Sequence, residues 1–437
     1  MEVKAEIKKE VEGVEFVKIF FTDLNGRLMT LPVNAEDIET IADDGIGFDG
    51  SSIAGYGSVD KSDRLLVPDL DTFRVLDFKG DRAGFVIGNI FDENGQRAGA
   101  DSRALLEKII DYAREKYGFT FAMGPEYEFF ILNGKEFGQK AFSDNAGYFH
   151  STPHDKGEQI RNRIIRILKQ CGIKSEKAHH EVTPSQHEIN IECTDPLTAA
   201  DQTVLFKYVA QKVALEEEHY NITFMPKPFE GYNRNAFHIH LSVVDQNRTN
   251  LFYDSSNKYL LSRTARQFIA GILKYARETS IVMASTFNSY KAYVMGREAP
   301  ISRGWGLKNR SSMVRIPFSK NPKATRIELR SPDPAGNVYM QMAVLIAMGI
   351  AGIEENLTCP EPDIGNAYLN NTNVAMWDER FLPKSIFEAL VEAERSSFLK
   401  KTLGDEIYTN YMDIKKEDWE DHRVHITHKE YQKYLNV

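Results

Sequence analysis

Charged and imidazole side chains alternate with mostly apolar residues in four short segments of the chain. In a β-strand, residues two positions apart project from the same face. The pattern therefore predicts strands with one apolar face and one face lined by polar groups, which is typical of a metal-lined cavity. The polar positions are Glu126 and Glu128; Glu188, Asn190 and Glu192; His238 and His240; and Arg326, Glu328 and Arg330.

The first hundred residues are predicted to form strands and turns. Residues 16–21 and 27–33 flank an Asp-Leu-Asn-Gly turn and indicate a hairpin, and residues 64–87 indicate a second strand-rich stretch. Between them, residues 45–55 are rich in glycine and serine around Asp49. This composition predicts a loop that approaches a ligand or another chain closely, with a plain surface loop as the alternative.

Strands and helices alternate after a helix that begins at the capping pair Asp101-Ser102. We place a domain boundary there, which gives an N-terminal domain at 1–100 and a larger domain at 101–437. The order of elements predicts an α+β architecture with a helical C-terminal end. Helices are predicted at 157–171, 196–220, 263–284 and 338–354, and strands at 119–132, 185–192, 236–244 and 325–330.

Composition narrows the class of protein. The chain has 437 residues, a formal net charge of −9 and 42% hydrophobic residues, so neither nucleic acid nor an anionic membrane is expected as the main partner. The longest apolar run, 340–353, is too short to span a bilayer. Three dispersed cysteines and a charged N-terminal segment indicate a cytoplasmic protein.

Carboxylates are the first candidates for metal ligands. Glu126 and Glu128 would repel each other on one strand face unless cations or water separate them, and the apolar residues beside them favour cations. The segment from His179 to Glu188 adds Glu181 and Glu188. Its three histidines also fit a zinc site, but the oxygen-rich surroundings favour Mg²⁺ or Mn²⁺.

Histidines and arginines supply candidates for phosphate contact. His238, His240 and Ser242 share one strand face, and several arginines surround the same segments. Such arginines clamp phosphate oxygens or, alternatively, form surface salt bridges. No glycine-rich phosphate loop with its lysine is present. The residues together predict metal-dependent phosphoryl transfer. The arginines are Arg310, Arg315, Arg326 and Arg330.

With these motifs in order, the chain resembles type I glutamine synthetase of bacteria and archaea from end to end. The resemblance implies a β-grasp N-terminal domain and a glutamine synthetase/guanido kinase-like catalytic domain with a funnel walled by antiparallel strands. It also implies stacked hexameric rings, a dodecamer with active sites between subunits. The motifs include 48–52, 124–130, 147–149, 179–188, 225–228, 238–242, 288–291, 298–300, 309–311, 315–317 and 321–334.

The resemblance also implies a role for each site residue. Asp49 and Tyr148 would bind and deprotonate the ammonium or amine, Glu298 would close over the intermediate, and Arg330 would lie near an acyl phosphate. One Mg²⁺ or Mn²⁺ would be held by Glu128, Glu181 and Glu188, and another by Glu126, His238 and Glu328. The co-substrate ATP would contact Glu176, His240, Ser242, Arg326, Arg310 and Arg315.

Two departures from the family pattern fall in the substrate pocket. The arginine that binds the α-carboxylate of glutamate is replaced by Ala292, and a glycine near the α-amino group, after Asn233, is replaced by Arg234. Losing an arginine–carboxylate contact weakens binding roughly 10- to 150-fold. A smaller departure follows Tyr368, where the continuation of the family's adenylylated segment is absent, which argues against adenylylation.

These departures give a main hypothesis and three alternatives. We predict an ATP-dependent carboxylate–amine ligase of nitrogen metabolism that forms an acyl phosphate from a carboxylate other than L-glutamate. Alternatively, Arg234 compensates for Ala292 and the enzyme makes glutamine. A γ-glutamyl–amine ligase and a non-catalytic regulator or scaffold are the other two alternatives.

Overall fold

The structure, a computed structural model, describes residues 11–57, 62–134, 138–217, 220–296, 298–371, 374–375 and 377–437. Most of the charged N-terminal segment, residues 1–10, lies outside this part of the chain. Among the described residues, no helix combines the length and apolar character needed to cross a membrane.

The N-terminal part is a five-stranded sheet in the order β2-β1-β5-β4-β3. Strands β1 and β5 are parallel, and the other neighbours are antiparallel. The predicted hairpin is confirmed, since β1 pairs with β2 across the turn. The elements are β1 (Phe16–Thr22), β2 (Leu28–Asn34), α1 (Ile38–Asp44), β3 (Ile46–Asp49), β4 (Asp63–Phe78) and β5 (Asp81–Phe91).

The glycine-rich stretch at 45–55 is not only a loop. Its first residues form β3, which pairs with the start of β4. Ile46 and Phe48 pack against the apolar cluster of the N-terminal sheet, and this burial accounts for the order that glycine content alone did not predict.

The larger part contains an eight-stranded sheet. Its order is β11-β12-β13-β10-β6-β8-β7, and β9 pairs with β6. All pairs are antiparallel except β11 with β12. The strands are β6 (Thr120–Asn133), β7 (Ser175–His180), β8 (Gln186–Ile191), β9 (Tyr220–Thr223), β10 (Phe237–Val244), β11 (Trp305–Leu307), β12 (Val314–Ile316) and β13 (Ile327–Leu329).

Helices cover the apolar face of this sheet and form the C-terminal end. Tyr127 of β6 stacks on Phe206 with ring centroids 4.1 Å apart, and both side chains are fully buried. The helices are α2 (Ser102–Tyr117), α3 (Glu158–Gln170), α4 (Pro196–Glu216), α5 (Arg263–Tyr275), α6 (Ser280–Met283), α7 (Val338–Glu354), α8 (Ile386–Glu394), α9 (Ser397–Leu403), α10 (Asp405–Val424) and α11 (His428–Tyr434).

Helix α2 begins where the sequence predicts it. The Asp101 carboxylate accepts hydrogen bonds from the backbone of Arg103 and Ala104 and so caps the helix. The Arg103 side chain then donates to Asp69 of β4 at 2.8 Å and to Asp201 of α4 at 2.9 Å. This buried ion network links the N-terminal sheet to the larger part of the molecule.

The helix predicted at 263–284 is interrupted. Helix α5 ends at Tyr275 and α6 begins at Ser280. The Thr279 hydroxyl donates to the Tyr275 carbonyl at 2.9 Å. A threonine hydroxyl that bonds to a carbonyl four residues back competes with the helical backbone and bends the chain.

Candidate active site

Strand register brings the predicted polar residues onto one face of the large sheet. His238 of β10 pairs with Glu126 of β6, and Glu188 of β8 pairs with Glu128 of β6. Glu328 of β13 pairs with His240 of β10. The intervening residues, such as Tyr127 and Ile239, point into the core. The alternation predicted from sequence is therefore present, except that Glu192 lies beyond β8 and is exposed.

One cluster centres on Glu126. Its carboxylate lies 3.2 Å from His238 Nδ1 and 3.0 Å from His240 Nε2. His238 Nδ1 also lies 3.8 Å from Glu328, and its buried Nε2 has no hydrogen-bond partner. Both imidazoles therefore stand beside the same two carboxylates. Glu126, His240 and Glu328 offer ligand atoms within 4.8 Å of one another, so His240 is a ligand candidate that the sequence comparison placed at ATP instead.

A second cluster contains three buried carboxyl groups. Burial, together with the charge of neighbouring carboxylates, raises the pKa of Glu128 to about 8, of Glu181 to about 9 and of Glu188 to about 7. Carboxylates held together in this way without full compensation favour a cation between them. The oxygen-rich donor set suits a hard divalent ion such as Mg²⁺ or Mn²⁺.

Two residues at the second cluster were not assigned to it from the sequence: His179 was considered only as part of a possible zinc site, and Lys177 was not considered. His179 Nε2 lies 3.6 Å from Glu181 and 3.9 Å from Glu188, and the Lys177 ammonium lies 3.5 Å from Glu188 and 3.8 Å from Glu126. Both residues belong to β7. Only the pairing of β7 with β8 brings them to the carboxylates. They could therefore be found from the pairing of the two strands, but not from a sequence motif.

Glu328 is the most strongly paired carboxylate of the site. It accepts hydrogen bonds from Arg330 at 2.6 Å and from Arg315 at 2.5 Å, and its side chain is 1% exposed. Burial alone would raise the pKa of Glu328, but Arg330 and the histidines His240 and His238 lower it to about 2. Glu328 therefore stays ionised at the junction of the arginines and the first cluster.

A cleft of about 390 Å³ opens beside the first cluster. Arg326 Nε donates to His240 Nδ1 at 3.0 Å along its wall. Arg310 and Arg315 do not line the cleft: Arg315 bonds to Glu328, and Arg310 lies against the Tyr148 hydroxyl. Four of the six residues predicted to contact ATP do line it, namely Glu176, His240, Ser242 and Arg326.

A much smaller cavity, of about 10 Å³, lies at the base of the second cluster. This space holds about one water molecule. Of the residues predicted to bind the substrate, Asn233, Arg234 and Arg330 contribute to the wall, whereas Ala292 does not. The other lining residues are Glu128, Glu181, Gln186, Ala236, His238 and Glu298.

Arg234 is 3% exposed and lines the small cavity. Its guanidinium donates to the carbonyl oxygens of Ser331, at 3.1 Å, and Arg330. It also lies 5.9 Å from the ring centroid of Tyr293, the residue after Ala292. The Arg234 Nε–H has no hydrogen-bond partner.

Glu298 stands on a loop that is held from two sides. The residue has a positive φ of 59°, which is unusual for a residue with a side chain. The Glu298 carbonyl accepts a hydrogen bond of 3.4 Å from Arg330, and the Ala299 carbonyl accepts one of 3.0 Å from the Tyr368 hydroxyl. Tyr368 is 9% exposed, so its hydroxyl secures the loop.

Replacing Tyr368 by phenylalanine should lower the free energy of unfolding by about 1 kcal/mol, because the Ala299 carbonyl loses its donor. Urea unfolding followed by fluorescence measures the change. The control is Tyr431→Phe, at a tyrosine that is 52% exposed, and it should be neutral. Equal stability of both variants would show that the Tyr368 hydroxyl does not secure the loop.

Asp49 and Tyr148 are not together in the single chain. The Asp49 carboxylate is exposed and accepts hydrogen bonds from Ser51 and Ser52, which lower its pKa. It lines neither cavity. Tyr148 instead lies beside the second cluster, with its ring centroid 5.3 Å from that of His179.

Comparison with known proteins decides the family. The sequence model described as glutamine synthetase, catalytic domain, matches residues 99–434, and that of the glutamine synthetase beta-Grasp domain matches residues 13–93. The chain belongs to the glutamine synthetase family. Together the two matches confirm the predicted fold class, a β-grasp domain followed by a catalytic domain.

Glutamine synthetases from other organisms align with nearly the whole chain. The Thermotoga maritima enzyme is 38% identical, and the alignment covers 98% of this chain and 97% of that protein. The Thermus thermophilus enzyme is 38% identical, covering 99% and 98%. The Methanococcus maripaludis enzyme is 36% identical, covering 98% of both.

Solved structures agree with this assignment. Apo GmaS without ligand is 28% identical, with a TM-score of 0.89 over 98% of each chain. A GmaS/ADP complex is 27% identical, with a TM-score of 0.89 over 100% of this chain and 99% of the other. Members of the glutamine synthetase family are ATP-dependent carbon–nitrogen ligases that use divalent metals, and this chain is an enzyme of that class. The alternative of a non-catalytic scaffold is therefore set aside.

Proposed function

We propose that this glutamine synthetase family ligase joins ammonia or an amine to a carboxylate other than L-glutamate, through an acyl phosphate. The observation that carries the proposal is the buried Arg234 in the wall of the small cavity, together with Ala292 at the position where the family has an arginine. A methyl group there cannot hold an α-carboxylate, and a buried cation repels an α-ammonium group.

Metal ligands are proposed from the two clusters. Glu128, Glu181 and Glu188 would hold one ion, with His179 Nε2 within 4 Å of two of them. Glu126, Glu328 and His238 would hold a second, with His240 as an additional ligand candidate. Mg²⁺ or Mn²⁺ bound there would neutralise the charge that develops on the transferred phosphoryl group.

The cleft beside the first cluster is the proposed ATP site. Its volume, of about 390 Å³, and its lining by Glu176, His240, Ser242 and Arg326 suit a nucleotide. The similarity to the GmaS/ADP complex supports the assignment. Arg315, fixed by Glu328, and Arg310, fixed by Tyr148, would act on the phosphates rather than on the base.

The reaction balances with these groups. A carboxylate oxygen of the acid bonds to the γ-phosphorus, and ADP leaves. The amine nitrogen then bonds to the carbonyl carbon, and phosphate departs with that oxygen. Arg330 would orient the transferred group, and the Glu298 loop would exclude water. The surplus protons of the nitrogen would pass to Asp49 of a neighbouring subunit, with Tyr148 and Glu181 beside it.

Assembly into stacked rings, with active sites between subunits, is part of the proposal. Asp49 is exposed and lines neither cavity of its own chain, so a second chain would supply it.

A second candidate, glutamine synthetase itself, is favoured by one contact. The Arg234 guanidinium lies over the ring of Tyr293, the residue that follows Ala292. It is therefore near the place of the missing arginine and could hold the glutamate α-carboxylate from the opposite side. A γ-glutamyl–amine ligase requires the same contact.

Phosphate release from ATP and Mg²⁺, with ammonium or hydroxylamine, separates these candidates across a panel of carboxylic acids. We expect L-glutamate to be a poor acceptor and another acid to give the highest kcat/KM. L-Glutamate as the best acceptor would contradict the proposal and establish a ligase that uses L-glutamate.

A further inference from the structure

Arg234 is a buried cation that forms no ion pair in the described residues. It is 3% exposed, its donors reach only the carbonyls of Arg330 and Ser331, and no carboxylate oxygen of the described part of the chain lies within 4.0 Å of it. A buried charge without an ionic partner is strongly unfavourable unless a ligand supplies one.

The neighbouring arginine of the same cavity is paired. Arg330 donates to Glu328 at 2.6 Å, so its charge is neutralised within the protein. Both arginines line the small cavity, and both retain an Nε–H without a hydrogen-bond partner, but among the described residues only Arg330 has a carboxylate bonded to its guanidinium. The cavity therefore has one unneutralised positive wall, and that wall can accept an anion.

Two buried carboxylates, Glu128 in the cavity wall and Asp333, are near enough for Arg234 to oppose the rise of their pKa. Neither forms an ion pair with Arg234 within 4.0 Å. A carboxylate of a ligand in the cavity can therefore take the direct contact with the guanidinium that no described side chain makes.

We propose that the substrate is a short dicarboxylate without an amino group, whose second carboxylate binds Arg234. This inference rests on the proposed ligase function and names its substrate class. One carboxylate is activated at Arg330 and the metal clusters, and the other accepts hydrogen bonds from the free edge of the Arg234 guanidinium. The product is the monoamide of that dicarboxylate. An amino acid is disfavoured because its ammonium group would face the same cation.

The test uses the full-length enzyme with ATP, Mg²⁺ and hydroxylamine. Succinate, glutarate and adipate are compared with L-glutamate and with the monocarboxylate butyrate. We expect one dicarboxylate to exceed both L-glutamate and butyrate in kcat/KM by at least about tenfold, the lower bound for a guanidinium–carboxylate contact. A butyrate kcat/KM equal to that of the best dicarboxylate, or a higher value for L-glutamate, would overturn the inference.

Arg234→Gly tests the residue itself, since it restores the glycine expected in the family. The KM for the dicarboxylate should rise roughly 10- to 150-fold, while the KM for ATP should change less than twofold. Arg234→Lys is the matched variant, because it keeps the charge but not the planar guanidinium group. Its KM for the dicarboxylate should lie between those of the wild type and of Arg234→Gly. An unchanged dicarboxylate KM in Arg234→Gly would overturn the role of Arg234.

Calorimetry separates a failure of the inference from a failure of the proposed function. Each acid is titrated into the wild-type enzyme with ADP and Mg²⁺. Dicarboxylate binding without phosphate release from ATP would support the anion site and contradict the ligase proposal. Phosphate release with L-glutamate or butyrate alone would support a ligase and overturn the dicarboxylate inference. Neither binding nor release would overturn both.

Discussion

Replacing Glu328 by glutamine is expected to reduce ATP-dependent phosphate release by more than about 100-fold. Mutating even the hydrogen-bonding partner of a metal ligand typically lowers metal affinity or activity about 10- to 100-fold. Glu328 is itself a proposed ligand, and it also fixes Arg315 and Arg330. The substitution keeps the shape of the side chain but removes its charge. Phosphate release at saturating ATP and acid measures the loss.

The same variant should be less stable. Arg330 is 3% exposed, and removing its anionic partner leaves a buried charge uncompensated, at a cost of about 3–5 kcal/mol. Thermal unfolding with and without Mn²⁺ then separates stability from metal binding, because a Glu328→Gln variant should gain less from Mn²⁺ than the wild type does.

The matched control is Glu361→Gln. Glu361 is also paired, with Lys258 at 3.0 Å, but its side chain is 76% exposed. Surface pairs contribute about 0–1 kcal/mol, so activity and stability should both be retained. Equal activity in the Glu328 and Glu361 variants would contradict the placement of Glu328 in the active site.

Removing the metal is expected to abolish phosphate release and to make stability depend on pH in a defined direction. The pKa values of Glu128, Glu181 and Glu188 are raised to about 8, 9 and 7. The folded, metal-free protein therefore keeps protons that the unfolded chain loses above its usual carboxyl pKa of 4.5. This contribution to stability is complete below pH 4.5 and is lost as the pH rises through about 7 to 9.

Stability measured at pH 6, 7, 8 and 9, with EDTA or with excess Mn²⁺, tests the direction. The stabilisation by Mn²⁺ should increase with pH, and at 100 times the dissociation constant it should reach about 2.7 kcal/mol per site. Glu181→Gln removes one of the titrating groups and should flatten the metal-free dependence on pH. A stabilisation by metal that is the same at pH 6 and pH 9 would contradict the coupling of these carboxylates to the metal.

Much of the site could be predicted because it depends on the alternation of side chains between the two faces of a single strand. Glu126 and Glu128, or His238 and His240, share a face whatever the rest of the chain does. The apolar residues between them then had to face the core, as Tyr127 does. The hairpin of β1 and β2 and the start of α2 at Asp101 were likewise set by turn and capping residues within a few positions.

The parts that could not be predicted depend on pairing between distant segments. His179 and Lys177 reach the carboxylates only through the register of β7 with β8. The orientation of the Arg234 side chain depends on hydrogen bonds to the carbonyls of Arg330 and Ser331, almost a hundred residues away in the sequence. Ala292 indicated a missing contact, but the sequence did not show that the Arg234 guanidinium lies over the ring of Tyr293.

The most direct test of the central claim follows one oxygen atom. The best acceptor acid is labelled with ¹⁸O in its carboxylates and turned over with ATP, Mg²⁺ and ammonium, with labelled L-glutamate in parallel. Mass spectrometry of the released phosphate gives the result. An acyl phosphate requires one ¹⁸O per phosphate released, from the non-glutamate acid at a higher rate than from L-glutamate. Phosphate without label would contradict activation of the carboxylate by phosphoryl transfer, and faster labelling from L-glutamate would contradict the proposed substrate.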